Sequence, residues 1–211
     1  MTKETMTVHE ALAELKTLDK RIDKKLQTEM FVDTYRVGTD KIRMMSIEGF
    51  REITRDNFNS IRDLIKRRNA LKRAVVLSNA TTSVEVGGVE YTVAEAIDMK
   101  NHGMTKLNEL LSMLTLEYNN AINTCKIENE NLISRATHSL QQLSGGDTSL
   151  GAEDIQKYID DFVKNQRMEV ATGIDCQKVI AELENEVSTF NTKIDSALSV
   201  SNAITTIEFE Y

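Results

Sequence analysis

The chain has 211 residues, no proline, 26 Lys+Arg against 33 Asp+Glu, and a formal net charge of −7 at pH 7. Average usage would give about ten prolines, and their absence favours long helices, because proline breaks the helical hydrogen-bond ladder. The acidic balance argues against non-specific binding to DNA, to RNA or to an anionic membrane. We therefore expect a mainly α fold in a single domain over residues 1–211.

The sequence shows no targeting or membrane-spanning pattern. Residues 1–7 (MTKETMT) lack the apolar stretch of a secretory signal. The apolar run Ala74–Leu77 is far shorter than the ~20 residues that cross a bilayer. Cys125 and Cys176 fall within helical patterns, which predicts two buried free thiols rather than a disulfide. We expect a soluble, cytoplasmic protein.

The first part of the chain predicts two helices. Thr7 and Glu10 have the spacing of a capping box, in which each side chain satisfies the other residue's backbone N–H. The helix that begins there carries one apolar stripe: Ala11, Leu15, Leu18, Ile22 and Leu26. A short hairpin is predicted between Phe31 and Ile47. A second helix then runs to about Leu77, with an apolar side formed by Phe50, Ile53, Phe58, Ile61, Leu64, Ile65, Leu71 and Val75.

A tight hairpin is predicted after the second helix. Two alternating runs, Val84–Val86 and Val89–Tyr91, are joined by Gly87-Gly88. A two-residue type I′ turn needs positive φ at both central positions, which glycine adopts without steric cost. The pattern therefore predicts two antiparallel strands.

The second part of the chain predicts three more helices. A second capping box, Thr92 with Glu95, starts a long helix whose core positions step by four and three: Val93, Ile97, Lys100, Met104, Leu107, Leu111, Leu114, Tyr118, Ala121 and Cys125. A loop at Ser144–Thr148 precedes a shorter helix that carries Ile155, Ile159, Phe162 and Val163. The last long helix carries Cys176, Ile180, Leu183, Val187, Phe190, Ile194 and Ala197. An alternating strand closes the chain at 205–211.

Two signatures recur and predict an internal pseudo-duplication, with halves at about 7–86 and 92–209. Thr-Val-x-Glu-Ala begins helices at Thr7 and Thr92, and Ser-Asn-Ala-x-Thr ends helices at Ser78 and Ser201. Chance recurrence is the alternative. We expect an antiparallel bundle of long helices, with the C-terminal strand joining the hairpin in a three-stranded antiparallel sheet at one end. Its outward face would need water, basic partner groups or a cation, because it would carry Glu85, Glu90, Glu208 and Glu210.

Catalytic and metal-binding patterns are absent from the sequence. His9, His102 and His138 lie in different segments, and none has a further ligand at metal-binding spacing. Neither a nucleophile elbow nor a glycine-rich phosphate loop after a strand occurs. We predict a protein that is not an enzyme, that needs no cofactor, and that has no catalytic or metal-ligating residues.

A basic cluster at the end of the second helix gives the candidate site. Lys66-Arg67-Arg68 and Lys72-Arg73 could complement the helix dipole or pair with the glutamate face of the sheet. Alternatively, this end of the helix binds phosphate, the neighbouring polar turns supply hydroxyls and amides, and Tyr91 or Tyr211 stacks on a base. The ligand-binding residues predicted on this hypothesis are Arg68, Lys72, Asn79, Thr81, Thr82, Tyr91, Asn202, Thr205 and Thr206.

The two Ser-Asn-Ala-x-Thr segments, Arg67-Arg68-Asn69 and the stretch GGVEYTVAEA at 87–96 carry a family resemblance. With them the chain resembles a group of phage-encoded helical proteins related to the septicolysin-like family of uncharacterised bacterial proteins. The resemblance covers about residues 60–125 and 175–211, whereas the segment 130–172 departs from it. It marks a family but is not diagnostic of an activity.

Phages that face nucleotide-signalling defences often encode small oligomeric sponges, which bind the signal without cleaving it. Heptad stripes on more than one helix predict a homo-oligomer, a dimer or a tetramer. By analogy with the sponges, the resemblance implies that such a non-enzymatic protein sequesters a small anionic nucleotide signal, such as a cyclic dinucleotide, in the host cytoplasm. The alternative is a phage virion or assembly protein that uses its helical stripes for protein–protein contacts.

Overall fold

The computed structural model describes residues 2–143 and 151–211. The protein is mainly helical with a few short antiparallel strands, which confirms the mainly α prediction. It divides into two compact units: Met1–Asn101 with Thr189–Tyr211 form unit 1, and His102–Ser188 form unit 2. The loop predicted at Ser144–Thr148 lies outside the described residues.

The elements in chain order begin with β1 (Lys3–Thr7), α1 (Val8–Thr28), β2 (Lys41–Ile42), β3 (Met45–Ser46), α2 (Ile47–Thr81), β4 (Ser83–Val86), β5 (Val89–Thr92) and α3 (Val93–Asp98). A π-helical turn, Met99–Gly103, leads to α4 (Met104–Glu130), α5 (Leu132–Leu143), α6 (Ala152–Gln166), α7 (Cys176–Ile204) and β6 (Thr206–Glu210). The hairpin expected before the second helix is present as the short pair β2–β3. The glycine hairpin is also confirmed, as β4–β5 with positive φ at Gly87 and Gly88.

Both predicted capping boxes form. The Thr7 hydroxyl accepts from the Glu10 N–H at 3.2 Å, and the Glu10 carboxylate accepts from the Thr7 N–H at 2.8 Å. Thr92 and Glu95 repeat this arrangement at 3.2 and 2.7 Å. The hydrogen bonds from Thr7 and Thr92 hold the pKa of Glu10 and of Glu95 below its ordinary value. These boxes fix where α1 and α3 begin.

The predicted three-stranded sheet is wrong. The C-terminal strand β6 pairs with β1 instead of with the hairpin, and β4–β5 stays two-stranded. The physical reason is that each strand that precedes a capping-box helix, β1 or β5, pairs with a strand that follows a helix ending in Ser-Asn-Ala, β6 or β4. One backbone hydrogen bond links the end of each Ser-Asn-Ala helix to the start of a capping-box helix. The N–H of Val8 donates to the carbonyl of Thr205 at 2.9 Å, and the N–H of Val93 donates to the carbonyl of Thr82 at 2.8 Å.

The long helix predicted from Val93 to Cys125 is not continuous. The π-helical turn Met99–Gly103 separates α3 from α4. A π turn holds one residue more than an α turn and so rotates the following side chains around the helix axis. Lys100, the one polar residue of the predicted stripe, is consequently exposed and donates to Asp195 at 2.5 Å.

The core of unit 1 packs α1 and α2 against β6. Its buried members are Val8, Ala11, Leu15, Leu18, Leu71, Val75, Ile207 and Phe209. Part of the predicted apolar stripes lies outside this core, because Leu26, Ile53, Phe58 and Ile65 are 54, 41, 56 and 39% exposed. α2 therefore has a second row of apolar side chains at its surface.

Unit 2 is built from α4, α5, α6 and the start of α7. α5 packs against α6, with Leu132 and Ala136 buried and the hydroxyls of Ser139 and Tyr158 3.0 Å apart. The side chain of Asn129 fixes the return of the chain, because it bonds both the carbonyl and the N–H of Met168, at 2.8 and 2.9 Å. Cys125 and Cys176 are free thiols, as predicted, but only Cys176 is buried.

We expect Leu71→Ala to lower the free energy of unfolding by about 2–5 kcal/mol, because Leu71 is fully buried between α1, α2 and β6. The matched control is Leu77→Ala on the same helix, where the side chain is 66% exposed. It should change stability by no more than about 0.5 kcal/mol. Urea denaturation of both variants measures this, and equal losses would contradict the assigned core.

Candidate functional site

Arg67 is the most highly connected cation in the described part of the chain. Its two terminal nitrogens donate to both carboxylate oxygens of Glu4 at 2.6 and 2.8 Å, and its Nε donates to Glu14 at 2.8 Å. It also bonds the hydroxyl of Tyr211, which in turn donates to Glu4 at 2.9 Å. The guanidinium carbon lies 4.7 Å from the centroid of the Tyr211 ring. One side chain thus joins β1, α1, α2 and the C-terminal residue.

The charges of this network stabilise one another. Hydrogen bonding to Glu4 and Glu14 raises the pKa of Arg67 above its ordinary value, although partial burial opposes this. Hydrogen bonds from Arg67 and Tyr211 hold the pKa of Glu4 below its ordinary value of 4.5. Because two carboxylates already saturate the guanidinium fork, Arg67 serves the fold and is not available to an anionic ligand.

Arg68 and Lys72, the predicted phosphate ligands, lie further around α2. Arg68 donates from Nε to Asp19 of α1 at 2.9 Å and from a terminal nitrogen to Asn69 at 3.3 Å. Lys72 is exposed and makes no ion pair within residues 2–143 and 151–211. A bound phosphate would therefore have to compete with Asp19 for Arg68, whereas Lys72 remains open to solvent.

The structure brings Thr82 and Thr205 together in a cleft of about 340 Å³ between the end of α7 and β4. Its other polar lining groups are Ser83, Ser196, Ser201 and the carboxylate of Glu85, and its apolar lining comes from Val84, Ala197, Val200 and Ile204. Arg68 and Lys72 do not line it. With hydroxyls and one carboxylate, and no cation in its lining, the cleft suits a neutral or cationic group better than a phosphate.

The remaining predicted ligand residues are scattered. Thr81 donates its hydroxyl to the carbonyls of Leu77 and Ser78 in the last turn of α2, and Thr206 is exposed opposite Thr7 in the β1–β6 pair. Asn79 and Asn202 are half-buried in the last turns of α2 and α7, because both helices extend through the predicted exit turns.

The aromatic side chains proposed to stack on a base are both engaged. Tyr91 packs edge-on against Phe190, with ring centroids 6.0 Å apart. Tyr211 stacks on Phe209 with centroids 5.9 Å apart and bonds Arg67. Stacking of either ring on a base would have to be compatible with these contacts.

The glutamate faces of the two strand pairs differ. In β1–β6, Lys3 forms an ion pair with Glu208 that raises the pKa of Lys3, and Arg73 shares a cleft of about 290 Å³ with Glu208 and Glu210. In β4–β5, Glu85 lies directly opposite Glu90, and neither carboxylate has an ion pair within the described residues. Like charges placed directly opposite each other destabilise a strand pair.

Unit 2 contains a groove of about 820 Å³ along α6. Its apolar lining comes from Ile133, Ile159 and Val163, and its polar lining comes from Gln156, Asp160, Lys164, Arg167 and Glu169. Lining charges of both signs select no particular small ligand. The groove lies within the segment 130–172, which departs from the family resemblance.

Within residues 2–143 and 151–211, no three His, Cys, Asp or Glu side chains are placed so that they could hold a metal ion. In that part of the chain no helix combines the length and the apolar character needed to cross a bilayer.

Comparison with known proteins yields no relative: no family model, no curated protein and no solved structure matches the chain.

Arg67→Met should lower the free energy of unfolding at neutral pH, and it should make that free energy depend less on pH in the acidic range. The carboxylate of Glu4 has a lowered pKa in the folded state. Its stabilising effect is therefore fully present above pH 4.5, the ordinary pKa, and is lost as the pH falls through the pKa of the folded state. Thermal unfolding from pH 7 down to pH 3 measures both effects.

The matched control is Arg68→Met, which removes a more exposed pair with Asp19 that is worth about 0–1 kcal/mol. If Arg67→Met and Arg68→Met had the same effect on stability and on its pH dependence, the central role of Arg67 would be refuted.

Proposed function

We propose that the protein is a non-enzymatic, homo-oligomeric phage protein that works through protein–protein contacts of its helices, as a virion or assembly component in the host cytoplasm. The observation that carries this proposal is the surface of α4. Of its 27 residues only Met104 is buried, although apolar side chains recur along the whole helix. Exposed apolar surface of this extent is characteristic of interaction faces.

The exposed part of α4 supports a contact with another protein. Leu110, Met113 and Leu116 are each more than half exposed, and Leu107, Leu111 and Leu114 are half-buried. Helices with apolar heptads of this length normally complete their burial against further helices.

We also propose that the long helices form an antiparallel bundle and that the halves 7–86 and 92–209 arose by duplication. The two capping boxes support the duplication, as do the equivalent backbone hydrogen bonds donated by Val8 and Val93. The strand registers are equivalent as well, since Thr206 faces Thr7 and Ser83 faces Thr92.

The virion role predicts that the protein is found in purified phage particles by mass spectrometry. The double substitution Leu110→Lys with Met113→Lys should exclude it from particles while leaving its circular dichroism unchanged, because both side chains are exposed. A matched control is Val200→Lys on α7, at a similarly exposed site of 57%, which should still be incorporated. Absence of the wild-type protein from particles and from their assembly intermediates would contradict this role.

Sequestration of an anionic nucleotide is the second candidate function, and a specific observation favours it. Five cations and no carboxylate occur between Lys66 and Arg73 in an otherwise acidic chain. Arg67 and Arg68 are held in ion pairs by carboxylates of β1 and α1, but Lys72 has no ion pair in the described part. Two copies could contribute such clusters to one ligand.

A sponge predicts that one member of a panel of cyclic dinucleotides and ADP-ribose-type nucleotides raises the melting temperature and is recovered intact. At 100 times its Kd, a ligand specific for the native state stabilises by about 2.7 kcal/mol. Lys72→Ala should abolish the shift, whereas Lys16→Ala on α1 should not. A flat panel would reject this candidate.

A further inference from the structure

One row of side chains on α2 is exposed over most of the helix. Its members step by four and three residues and are all exposed; they are Arg51, Arg55, Phe58, Arg62, Ile65, Asn69, Lys72 and Val76. We call this set the α2 row. It lies beside the row that faces the core of unit 1, which includes Phe50, Ile61, Leu71 and Val75.

The chemistry of the α2 row is unusual for an exposed helix face. It contains four cations, three large apolar side chains and one asparagine, and no carboxylate. Phe58 and Val76 are 56 and 55% exposed. Only Arg51 of the four cations has an ion pair within the described residues, a 3.5 Å contact with Glu48. A row whose members step by four and three residues fits another helix rather than a flat or irregular partner.

The α2 row is complementary to itself when two copies pack antiparallel. With Ile65 facing the partner's Ile65, the side chain of Arg62 faces the partner's Asn69, Phe58 faces the partner's Lys72, and Arg55 faces the partner's Val76. Every cation then meets an amide, an aromatic face or an aliphatic group, and Lys72 gains a cation–π contact. Parallel packing in register would instead place Arg62 against the partner's Arg62, which is repulsive.

The glycine hairpin supplies the missing counter-charge. In the antiparallel register Arg51 faces the end of the partner's α2, and β4 begins at Ser83, within one turn of that end. The hairpin carries the opposed pair Glu85 and Glu90, and neither carboxylate has an ion pair within residues 2–143 and 151–211 of its own copy. The cations at one end of the α2 row therefore lie near the uncompensated carboxylates of the second copy, and the reverse holds by symmetry.

We propose that a second copy of this chain covers the α2 row, forming a two-fold dimer in which the α2 helices pack antiparallel about Ile65. The proposal deepens the proposed function, because it rests on homo-oligomer formation and names the surface that joins the copies. Asn69 opposite Arg62 would fix the register, as single polar groups do in coiled coils.

Sedimentation of the purified full-length chain tests the contact. Wild type should show twice the monomer mass of 23.8 kDa, with dissociation on dilution. Ile65→Lys brings two cations together at the two-fold axis and should yield a folded monomer. Leu77→Lys, at an exposed position of α2 outside the row, should remain a dimer. A monomeric wild type at all concentrations, or a dimer that survives Ile65→Lys, would overturn the proposal.

Cross-linking tests the antiparallel register. Phe58→Cys and Lys72→Cys variants, mixed and oxidised, should form a disulfide between the two variants, and neither should cross-link with itself through the new cysteine. Cross-links between like variants would indicate parallel packing and reject the register. If Ile65→Lys stays oligomeric and is still incorporated into particles, the α2 contact fails while the assembly function stands. If the protein forms a dimer of the proposed register but never enters particles, the α2 contact stands while the assembly function fails.

Discussion

Within unit 1, Arg67 joins β1 and α1 to Tyr211, the residue that follows β6. Its guanidinium bonds Glu4 on β1, Glu14 on α1 and the hydroxyl of Tyr211. The residues so joined are far apart in sequence, and their contact aligns β1 with β6 and covers one end of the core. Because these hydrogen bonds occupy its guanidinium, Arg67 is not available to a ligand. The cation of the basic cluster with the most hydrogen bonds therefore has a structural role.

Local sequence patterns were enough to predict much of the fold. Thr7 with Glu10 and Thr92 with Glu95 predicted two helix starts correctly, because a capping box involves residues only three apart. Gly87-Gly88 predicted the hairpin for the same reason. Pairings between distant strands are not encoded locally, and β1 was too short and polar to be recognised, so β6 was assigned to the wrong partner.

The candidate site was predictable only in part. The excess of cations at the end of α2 is visible in the sequence. Which of these cations form ion pairs within the fold, and which stay open to solvent, depends on residues of other elements. Asp19 lies near Arg68, and Glu85 lines the cleft that holds Thr82 and Thr205. The exposure of Phe58 and Ile65 could not be predicted either, because heptad spacing indicates an apolar row without saying which of two adjacent rows faces the core.

The long helices keep apolar and basic side chains at the surface, and we propose that association of copies completes their burial. Native mass spectrometry of the freshly purified chain tests that proposal most directly. We expect even-numbered assemblies whose mass is a whole multiple of the chain mass, with no bound small molecule. A monomer would contradict association through helix faces, and an assembly carrying an intact nucleotide would establish sequestration as the function instead.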